Sequence, residues 1–538
     1  MKTKNFLFAG AIALSTVLSP MAALTQAVPA LAATVELSDT THSYTAYKIF
    51  DGEETVVDGK AQLSNIDWAD GVHGDDILKA IKDSKDANLD PLKQATSAPT
   101  LADALQKASG NSDVAARAFA KLLNEKIALL GDPEDTDVTS GKTLTVGYYL
   151  LRDNTTSSEQ DVVGLSILKV ATNNGTVTIE PKNSKPGVDK QVWDNDSHDI
   201  KAPAANPGTS DEAGFGESAD HFVGEQFEFK LNTTGLTYKT VRAYDKYYLE
   251  FNDSWTEGIT VEATGNDGGE AAKNITVEVK TTNNTVDKTS DFKIVVDQTK
   301  KTLNVSIENL KTVLPDNMTD ADAIEVVVTY KAHLNENAVA FNETMDNKND
   351  VELIYSNNPN TNGHGTSEKD NVFVGTFKLE NTKVDADGKA LAEAGFKLKN
   401  AAGKFAKFKT TDDKRNVFDG WDDEGKQIIS DSEGHFYMEG LDAGTYTLVE
   451  TKVPDGYKQA ADTTIVINAT HSENTEGDAA TVTVTGEHAN GATVTNSKIS
   501  NLPETGGMGT TMIYSVGTIL VAGAAIVFAT NKRMRKED

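Results

Sequence analysis

Thr481-Val482-Thr483-Val484 alternates polar and apolar side chains, which is the pattern of a β-strand with one buried face. Three similar runs are separated from it and from each other by turns rich in Gly, Asn and Asp: Thr176-Val177-Thr178-Ile179, Ile324-Glu325-Val326-Val327-Val328 and Phe396-Lys397-Leu398. Many short strands with turn residues between them are typical of β-sandwiches. The sequence therefore predicts a mainly β protein.

Helical spacing occurs only near the front of the chain. Ser112 is placed to cap a helix that ends at Gly131. The apolar residues on its buried side are Phe119, Leu122, Leu123, Ile127 and Leu130. The predicted fold class is thus tandem immunoglobulin-like β-sandwich domains, the first with helical insertions.

Two segments rich in turn-forming residues mark domain boundaries. One is Pro181 to Gly187, and the other is Asn357 to Lys369. A third such segment, Asp194 to Asp220, predicts a mobile loop inside the middle domain. The predicted domains are residues 34–185, 186–366 and 367–500.

The composition excludes several classes of function. The chain has 538 residues and a formal charge of −30, with 81 acidic residues against 51 basic ones. Such a chain is a poor general binder of nucleic acid. It has no cysteine, so neither a disulfide nor a thiolate metal site is possible.

Motifs for catalysis on an external substrate are also missing. The nine histidines show no metal-ligand spacing, and no glycine-rich phosphate loop or Gly-x-Ser-x-Gly elbow is present. A Ca²⁺ site among the Asp and Asn turns stays open, although no twelve-residue calcium loop is visible. We therefore predict no cofactor, no metal and no enzymatic turnover.

The N-terminus predicts export. Lys2 and Lys4 precede an apolar run from Phe6 to Leu18, and Ala30-Leu31-Ala32 has the small-x-small pattern of a signal peptidase site. We expect cleavage after Ala32 or Ala33. Residues 1–33 are therefore interpreted as a signal peptide.

The C-terminal residues 501–538 contain three consecutive elements. Leu502-Pro503-Glu504-Thr505-Gly506 is followed by an apolar stretch from Thr511 to Thr530 and by Lys532-Arg533-Met534-Arg535-Lys536. This order resembles the cell-wall sorting signal of Gram-positive surface proteins. The resemblance implies that a sortase cuts between Thr505 and Gly506 and joins the threonine carbonyl to an amine. The alternative is an ordinary C-terminal membrane anchor, because twenty apolar residues also span a bilayer.

The third domain contains the motif Tyr446-Thr447-Leu448-Val449-Glu450-Thr451-Lys452-Val453-Pro454-Asp455-Gly456-Tyr457. This motif resembles the E-box of backbone pilins and of collagen-adhesin B-type domains. The resemblance implies an isopeptide bond between Lys383 and Asn496, catalysed by Glu450. A buried lysine favours its neutral, nucleophilic form, and a buried acid stays protonated and can shuttle protons.

The middle domain resembles a pilin domain that forms the same kind of bond. Val188-Asp189-Lys190-Gln191-Val192 opens it, and an asparagine strand from Asn349 to Pro359 closes it. The resemblance implies Lys190 and Asn349 as the bonded pair. Asp253 fits the family pattern for the acid, and Asp245 is a rival close to it in sequence.

Val177-Thr178-Ile179-Glu180-Pro181-Lys182-Asn183 resembles the pilin motif, whose lysine receives the threonine of the next subunit. The resemblance implies Lys182 as the acceptor, although Glu180 replaces the usual tyrosine. Lys185 is an alternative acceptor. An additional bond between Lys48 and Asn183 also stays open, with no acid assigned to it.

These resemblances imply a backbone pilin, polymerised by a pilin-specific sortase and finally attached to peptidoglycan by a housekeeping sortase. Its expected partners are identical subunits and minor pilins at the cell surface, and the ligand for adhesion stays unknown. The alternative is a monomeric wall-anchored adhesin with the same crosslinked domains. Only an acceptor lysine separates the two interpretations.

Overall fold

The computed structural model describes residues 32–37, 42–109, 114–154, 164–172, 175–179, 185–195, 214–282, 284–341, 347–358, 363–472 and 481–499, with four single positions beyond them. The described chain is mostly strand and forms several β-sheets, so the predicted fold class is confirmed. Two compact units are present. The first comprises 1–378, 439–444 and 468–485, and the second comprises 379–438, 445–467 and 486–538.

The front of the first unit contains two small sheets. One has the order β3-β2-β6-β7 with β4 beside β2, and the other has the order β5-β1-β8, in which β1 and β8 run parallel. The strands are β1 (Ala32–Leu37), β2 (Tyr44–Val57), β3 (Lys60–Trp68), β4 (Asp135–Val138), β5 (Thr143–Thr145), β6 (Gly147–Asp153), β7 (Leu165–Val170) and β8 (Thr176–Ile179).

Three α-helices and two 3-10 helices lie between β3 and β4. They are α1 (Gly74–Asp83), α2 (Ala98–Ser109) and α3 (Val114–Glu125), with 3-10 turns at Ala87–Leu92 and Ile127–Leu130. The predicted helix is α3, with Phe119 and Leu123 buried. The helix ends at Glu125, because the backbone of Lys126 is not helical, and the chain continues as a 3-10 turn until Gly131 takes a positive φ of 67°. The predicted cap Ser112 lies outside the described residues.

The middle part of the first unit is a sandwich of two sheets. Their orders are β10-β9-β12-β19-β15-β16, with β14 beside β19, and β11-β22-β20-β13-β18-β17, with β21 beside β20. The elements are β9 (Gly187–Asp194), β10 (Gly214–Gly216), β11 (Ser218–Asp220), β12 (Gln226–Thr234), α4 (Tyr238–Val241), β13 (Leu249–Trp255), β14 (Ile259–Val261), β15 (Ile275–Thr281), β16 (Asn284–Asp287), β17 (Lys293–Asp297), β18 (Thr302–Ile307), β19 (Ile324–Leu334), β20 (Lys348–Ser356), β21 (His364–Thr366) and β22 (Asp370–Gly375), with 3-10 turns at Thr289–Asp291 and Leu310–Val313.

Two predictions from the sequence differ from the observed strands and their pairing. The segment Asp194 to Asp220, predicted as one loop, contains β10 and β11 at its end, while 196–213 lie outside the described residues. The predicted boundary between 366 and 367 falls between β21 and β22, and both of these strands pair with β20.

The second unit is built around one sheet path. Its order is β29-β24-β25-β26-β28-β23-β32, with β27 beside β24, and β30 pairs with β31. From residue 377 onward the strands are β23 (Phe377–Asp385), β24 (Gly395–Asn400), β25 (Phe405–Thr410), β26 (Asn416–Asp422), β27 (Ile428–Ile429), β28 (His435–Leu441), β29 (Gly444–Lys452), β30 (Thr463–Ser472), β31 (Thr481–Thr485) and β32 (Thr493–Asn496), of which β31 and residues 468–472 of β30 belong to the first unit. Strands β23 and β32 are parallel neighbours.

Both predicted terminal segments lie largely outside the described residues. At the front, Ala32 and Ala33 are the first two residues of β1 and pair with Thr145 and Leu144. The predicted cleavage therefore falls at the start of this strand. At the other end, the apolar stretch 511–530 is almost entirely undescribed. Among the described residues, no helix has the length and apolar character needed to cross a membrane.

Candidate functional site

The predicted residues of the middle domain meet between its two sheets. Lys190 lies on β9 in one sheet, whereas Asp253 on β13 and Asn349 on β20 lie in the other. All three side chains are 0% exposed. They come together because each occupies an inward-facing position of its strand, where alternate side chains face the core.

A fourth residue, Tyr330, connects the three. Lys190 Nζ contacts Asp253 Oδ2 and lies 3.2 Å from Tyr330 Oη. The phenol donates to Asp253 Oδ1 and Oδ2 at 3.0 and 3.1 Å, and Asn349 Nδ2 donates to Tyr330 Oη at 2.6 Å. The phenol oxygen therefore contacts the lysine, the acid and the asparagine at once.

Sequence reasoning did not identify Tyr330. It lies on β19, where Val328, Tyr330 and Ala332 face inward in alternation and are all 0% exposed. The sequence pattern could have indicated Tyr330, because a tyrosine among inward-facing aliphatic residues has a buried hydroxyl that needs a hydrogen-bond partner. The partners themselves come from strands that are distant in sequence.

Burial shifts the ionisation of this cluster. Desolvation lowers the pKa of Lys190 and raises the pKa of Asp253, although their mutual attraction opposes both shifts. Burial and the Asp253 charge raise the pKa of Tyr330 well above its usual value. The aromatic ring of Phe229, whose centroid is 5.2 Å from Lys190 Nζ, adds to the apolar surroundings. The site thus favours an uncharged amine beside a protonated carboxyl.

Asp245, the rival acid, lies elsewhere. It forms an ion pair with Lys121 of α3, and its side chain is 75% exposed. Such a carboxyl is hydrated and does not reach the buried amine. Of the two acids, only Asp253 contacts Lys190 among the described residues.

In the last domain the structure brings Glu450 and Asn496 into contact and places Lys383 on the strand beside Asn496. Lys383 on β23 pairs with Val494 on β32, and Asn496 lies two residues further along the same parallel strand. Glu450 extends from β29, and its Oε1 accepts a hydrogen bond from Asn496 Nδ2 at 2.9 Å. The three side chains are 0%, 2% and 1% exposed, in the order Lys383, Glu450 and Asn496.

Each polar group of this cluster has a defined environment. Lys383 Nζ donates to the carbonyl oxygens of Val384 and Val494 at 3.0 Å, and burial lowers the pKa of its amine. Glu450 Oε2 accepts from the Ala460 backbone N–H at 2.8 Å. The buried amine is therefore held by neutral backbone carbonyls, and burial shifts it toward its uncharged form, although attraction to Glu450 and Asp385 opposes this shift.

The amide oxygen of the asparagine is unpaired in both clusters. Asn349 Oδ1 and Asn496 Oδ1 are buried without a hydrogen-bond partner among the described residues. An orphaned buried oxygen carries a desolvation cost of about 1–3 kcal/mol. If the side-chain amide rotated by half a turn, its oxygen would take the place of Nδ2. In the last domain this oxygen would then face Glu450, which now accepts from Nδ2.

The turn of the Pro-Asp-Gly-Tyr motif holds the end of the last domain. Gly456 has a positive φ of 84°, which a glycine adopts without strain. Its carbonyl accepts from the Ile499 backbone N–H at 2.9 Å, and the Lys458 backbone N–H donates to the Ser497 carbonyl at 2.8 Å. These bonds fix the chain just after Asn496, next to the predicted sorting motif.

Lys48 of the first domain also has an acidic neighbour. Its Nζ lies 2.6 Å from Thr145 Oγ1, 2.7 Å from Asp51 Oδ1 and 3.5 Å from Glu134 Oε2. Burial alone would raise the pKa of Glu134, but hydrogen bonds from Thr145 and Tyr149 and the Lys48 charge lower it. Glu134 therefore favours the ionised form, unlike the acid of the middle domain.

The remaining predicted residues are outside the described part of the chain. Lys182 and Asn183 lie between β8 and β9, and the sorting motif 502–506 lies beyond residue 499. Lys185, the alternative acceptor, is described and exposed. Their roles stay predictions.

A separate buried cluster joins Asp194, Asp220 and His471, all in the first unit. One potential ligand atom from each lies within 4.8 Å of the others. His471 Nε2 contacts Asp220 Oδ1 at 2.7 Å, and His471 Nδ1 contacts Ser218 Oγ at 2.7 Å. These ligand types suit a divalent cation, but the hydrogen bonds explain the packing without one. Sequence spacing could not reveal the cluster, because 251 positions separate Asp220 from His471.

Comparisons with known proteins identify two domain families. Residues 227–359 match the Gram-positive pilin backbone subunit 2, Cna-B-like domain, and residues 377–483 match the SpaA prealbumin-like fold domain. Residues 227–359 are thus homologous to a domain of Gram-positive pilin backbone subunits, and residues 377–483 to SpaA prealbumin-like domains. No curated protein sequence matches significantly.

Solved structures with a similar fold include three pilins. The T6 backbone pilin of Streptococcus pyogenes is 16% identical, with 87% of this chain and 98% of that chain covered and a TM-score of 0.48. The pilus 2b backbone protein of group B streptococcus is 20% identical, with 53% and 97% covered and a TM-score of 0.39. The major pilin SpaD of Corynebacterium diphtheriae is 18% identical, with 69% and 87% covered and a TM-score of 0.39.

Proposed function

We propose that this chain, which contains a Gram-positive pilin backbone domain followed by a SpaA prealbumin-like domain, is the repeating structural subunit of a covalent surface fibre. Two of its domains would carry internal isopeptide bonds. Sortase would join successive subunits, and the finished fibre would be attached to peptidoglycan and support adhesion.

One observation carries this proposal. The chain buries a lysine, a carboxylic acid and an asparagine together twice, with every one of these side chains at most 2% exposed. Burying an amine and an acid is costly unless they are paired or react. Two such triplets in successive domains support a chain built to crosslink itself.

The reaction follows from the residue types. A neutral lysine Nζ attacks the asparagine Cγ, a new N–C bond forms, and the C–Nδ2 bond breaks. One proton passes from Nζ to Nδ2, and ammonia leaves. Asp253 or Glu450 would assist this proton transfer, each for a single turnover.

The positions of the bonded residues suit a load-bearing fibre. In the last domain the two residues lie on the parallel strands β23 and β32, through which the chain enters and leaves. In the middle domain the bond would connect β9 of one sheet to β20 of the other. Tension along the chain would then pass through covalent bonds and leave the sandwich unloaded.

The joint between subunits would use Thr505 and Lys182. Lys182 follows β8, which ends at Ile179, and Pro181 lacks the N–H needed to continue the ladder. A lysine at such a strand end can be reached by an enzyme carrying the Thr505 acyl group of another subunit. Repetition of this linkage gives a linear polymer.

Immunoblotting of boiled cell-wall extracts tests the proposal. Wild-type cells should show a ladder of high-molecular-weight species, because isopeptide-linked subunits do not separate on boiling. Deletion of the pilin sortase should leave one monomeric band. A wild-type extract with monomer alone would favour the wall-anchored adhesin instead.

The internal bonds predict a change in mass. Each bond releases one ammonia, so the purified chain should be lighter than its sequence by about 34 Da for two bonds. Intact mass spectrometry measures the total, and tryptic mapping assigns the joined peptides. A third bond between Lys48 and Asn183 would bring the loss to about 51 Da. A mass equal to that of the sequence would contradict both assigned bonds.

The two candidate acids of the middle domain should behave differently. Replacing Asp253 with alanine should leave Lys190 and Asn349 unlinked, because no other described carboxylate contacts the Lys190 amine. The mass deficit should shrink by about 17 Da. Asp245→Ala is the matched control and should keep the full deficit, since Asp245 pairs with Lys121 at the surface. A bond that persists in the Asp253 variant would exclude the assigned acid.

A further inference from the structure

We propose that Tyr330 is a catalytic residue of the middle domain, carrying the proton between Asp253 and the departing nitrogen of Asn349. The inference rests on the proposed function, because it assumes that Lys190 and Asn349 react. It assigns to the site a fourth chemical group that the lysine, acid and asparagine triplet does not include.

The contacts of the two clusters differ in one respect. In the last domain the acid contacts the asparagine directly, with 2.9 Å between Asn496 Nδ2 and Glu450 Oε1. In the middle domain Asn349 Nδ2 instead contacts Tyr330 Oη at 2.6 Å, and the phenol contacts Asp253 at 3.0 Å. The phenol oxygen thus occupies the position relative to the asparagine that a carboxylate occupies in the other domain.

This chain of contacts gives a complete route for the proton. As Nζ of Lys190 bonds to Cγ of Asn349, one of its protons passes to the unprotonated oxygen of Asp253, which it already contacts. In the same step the carboxyl gives its own proton to Tyr330 Oη, and the phenol delivers its proton to Nδ2. The C–Nδ2 bond then breaks and ammonia leaves, so that Asp253 and Tyr330 end in their starting protonation states.

The surroundings keep the phenol ready for this role. Burial and the neighbouring Asp253 raise the pKa of Tyr330, so the hydroxyl retains the proton that it must donate. The ring is 0% exposed and packs against Phe229, with centroids 5.4 Å apart. Tyr330 also pairs with Phe229 in the register of β19 and β12, which fixes its position on the sheet.

Tyr330→Phe provides the first test, because it removes only the hydroxyl and keeps the ring packing. Chain collected at successive times after a short induction is mapped by mass spectrometry for both internal bonds. We expect the Lys190–Asn349 bond to form at least about 100-fold more slowly, the lower range for loss of a general acid or base. The Lys383–Asn496 bond of the same molecules is the internal control and should form at the wild-type rate.

A merely structural role predicts a different result. Unchanged kinetics of the Lys190–Asn349 bond in the phenylalanine variant would overturn the inference. If that variant does not fold, as judged by circular dichroism, a fluorinated tyrosine at position 330 keeps the hydroxyl and changes its acidity. Bond formation should then change with the phenol pKa, and a constant rate would again overturn the inference. Absence of the Lys190–Asn349 bond in wild type would instead contradict the proposed crosslink itself.

Discussion

Replacing Lys182 with alanine should abolish the high-molecular-weight ladder and leave the protein at the wall as a monomer. Sortase joins the Thr505 carbonyl to an amine, and alanine offers none. The final transfer to peptidoglycan uses an amine of the wall and should therefore persist. Immunoblotting of boiled wall extracts and of the culture medium measures the ladder, the wall-bound monomer and any released chain.

Lys185→Ala is the matched control for this experiment. Lys185 is exposed and lies three positions after Lys182, so the two variants differ mainly in which amine is lost. We expect the Lys185 variant to keep the ladder at wild-type intensity. A ladder that survives loss of Lys182 and disappears with Lys185 would transfer the acceptor role to Lys185.

The last domain was the most predictable part of the site. The three residues predicted to react lie in short motifs that the sequence shows directly, and β23 and β32 bring Lys383 and Asn496 onto neighbouring strands. Glu450 was predictable because the Pro-Asp-Gly-Tyr turn after it is distinctive. A motif of this kind encodes local geometry, so its residues can be located before the fold is known.

The acid of the middle domain was harder to choose. Asp245 and Asp253 lie eight positions apart, and both are followed by aromatic residues within two positions. The two residues differ in burial: Asp253 is buried on a strand, whereas Asp245 is exposed beside α3. Burial depends on tertiary packing and was therefore beyond the sequence pattern.

Contacts between distant strands were not predictable. Tyr330 lies 77 positions from Asp253 and 140 from Lys190, yet the sandwich brings their polar atoms within hydrogen-bond distance. Glu134 beside Lys48 was missed for the same reason. Alternation along a strand shows which residues face inward, but it does not show which strands face each other.

The differences among the three lysine sites are informative about reactivity. Lys190 and Lys383 are 0% exposed, whereas the side chain of Lys48 is 17% exposed and contacts two carboxylates. Desolvation, which favours an uncharged and nucleophilic amine, is therefore less complete around Lys48 than around the other two lysines. The first domain is thus less suited to self-crosslinking than the other two, in the part that the structure describes.

Replacing Asn496 with alanine should strongly weaken the last domain. The bond between Lys383 and Asn496 closes a loop of 113 positions, and loss of that constraint costs about 5 kcal/mol by analogy with disulfide loops. For a domain of this size the cost corresponds to a fall in melting temperature of about 10–20 °C. The variant also leaves the buried Lys383 amine without the partner that neutralises it. Differential scanning calorimetry of the full chain resolves this transition.

Asn490→Ala is the matched control, because Asn490 is an exposed asparagine of the same unit whose backbone carbonyl accepts a hydrogen bond from the Glu380 N–H. Its melting temperature and mass deficit should equal those of wild type. A similar fall in both variants would show that the effect does not come from the bond.

Mechanical pulling gives the sharper result for the same substitution. In wild type, force applied at the termini should pass from β23 through the bond to β32, and the residues between them should stay folded. Without the bond, 113 residues can extend by up to about 380 Å. Single-molecule force spectroscopy should therefore show one additional unfolding step in the Asn496 variant. Unfolding of the first domain contributes to both traces and therefore serves as the internal reference. If the wild-type trace showed the same additional step, force would not pass from β23 to β32 through the bond.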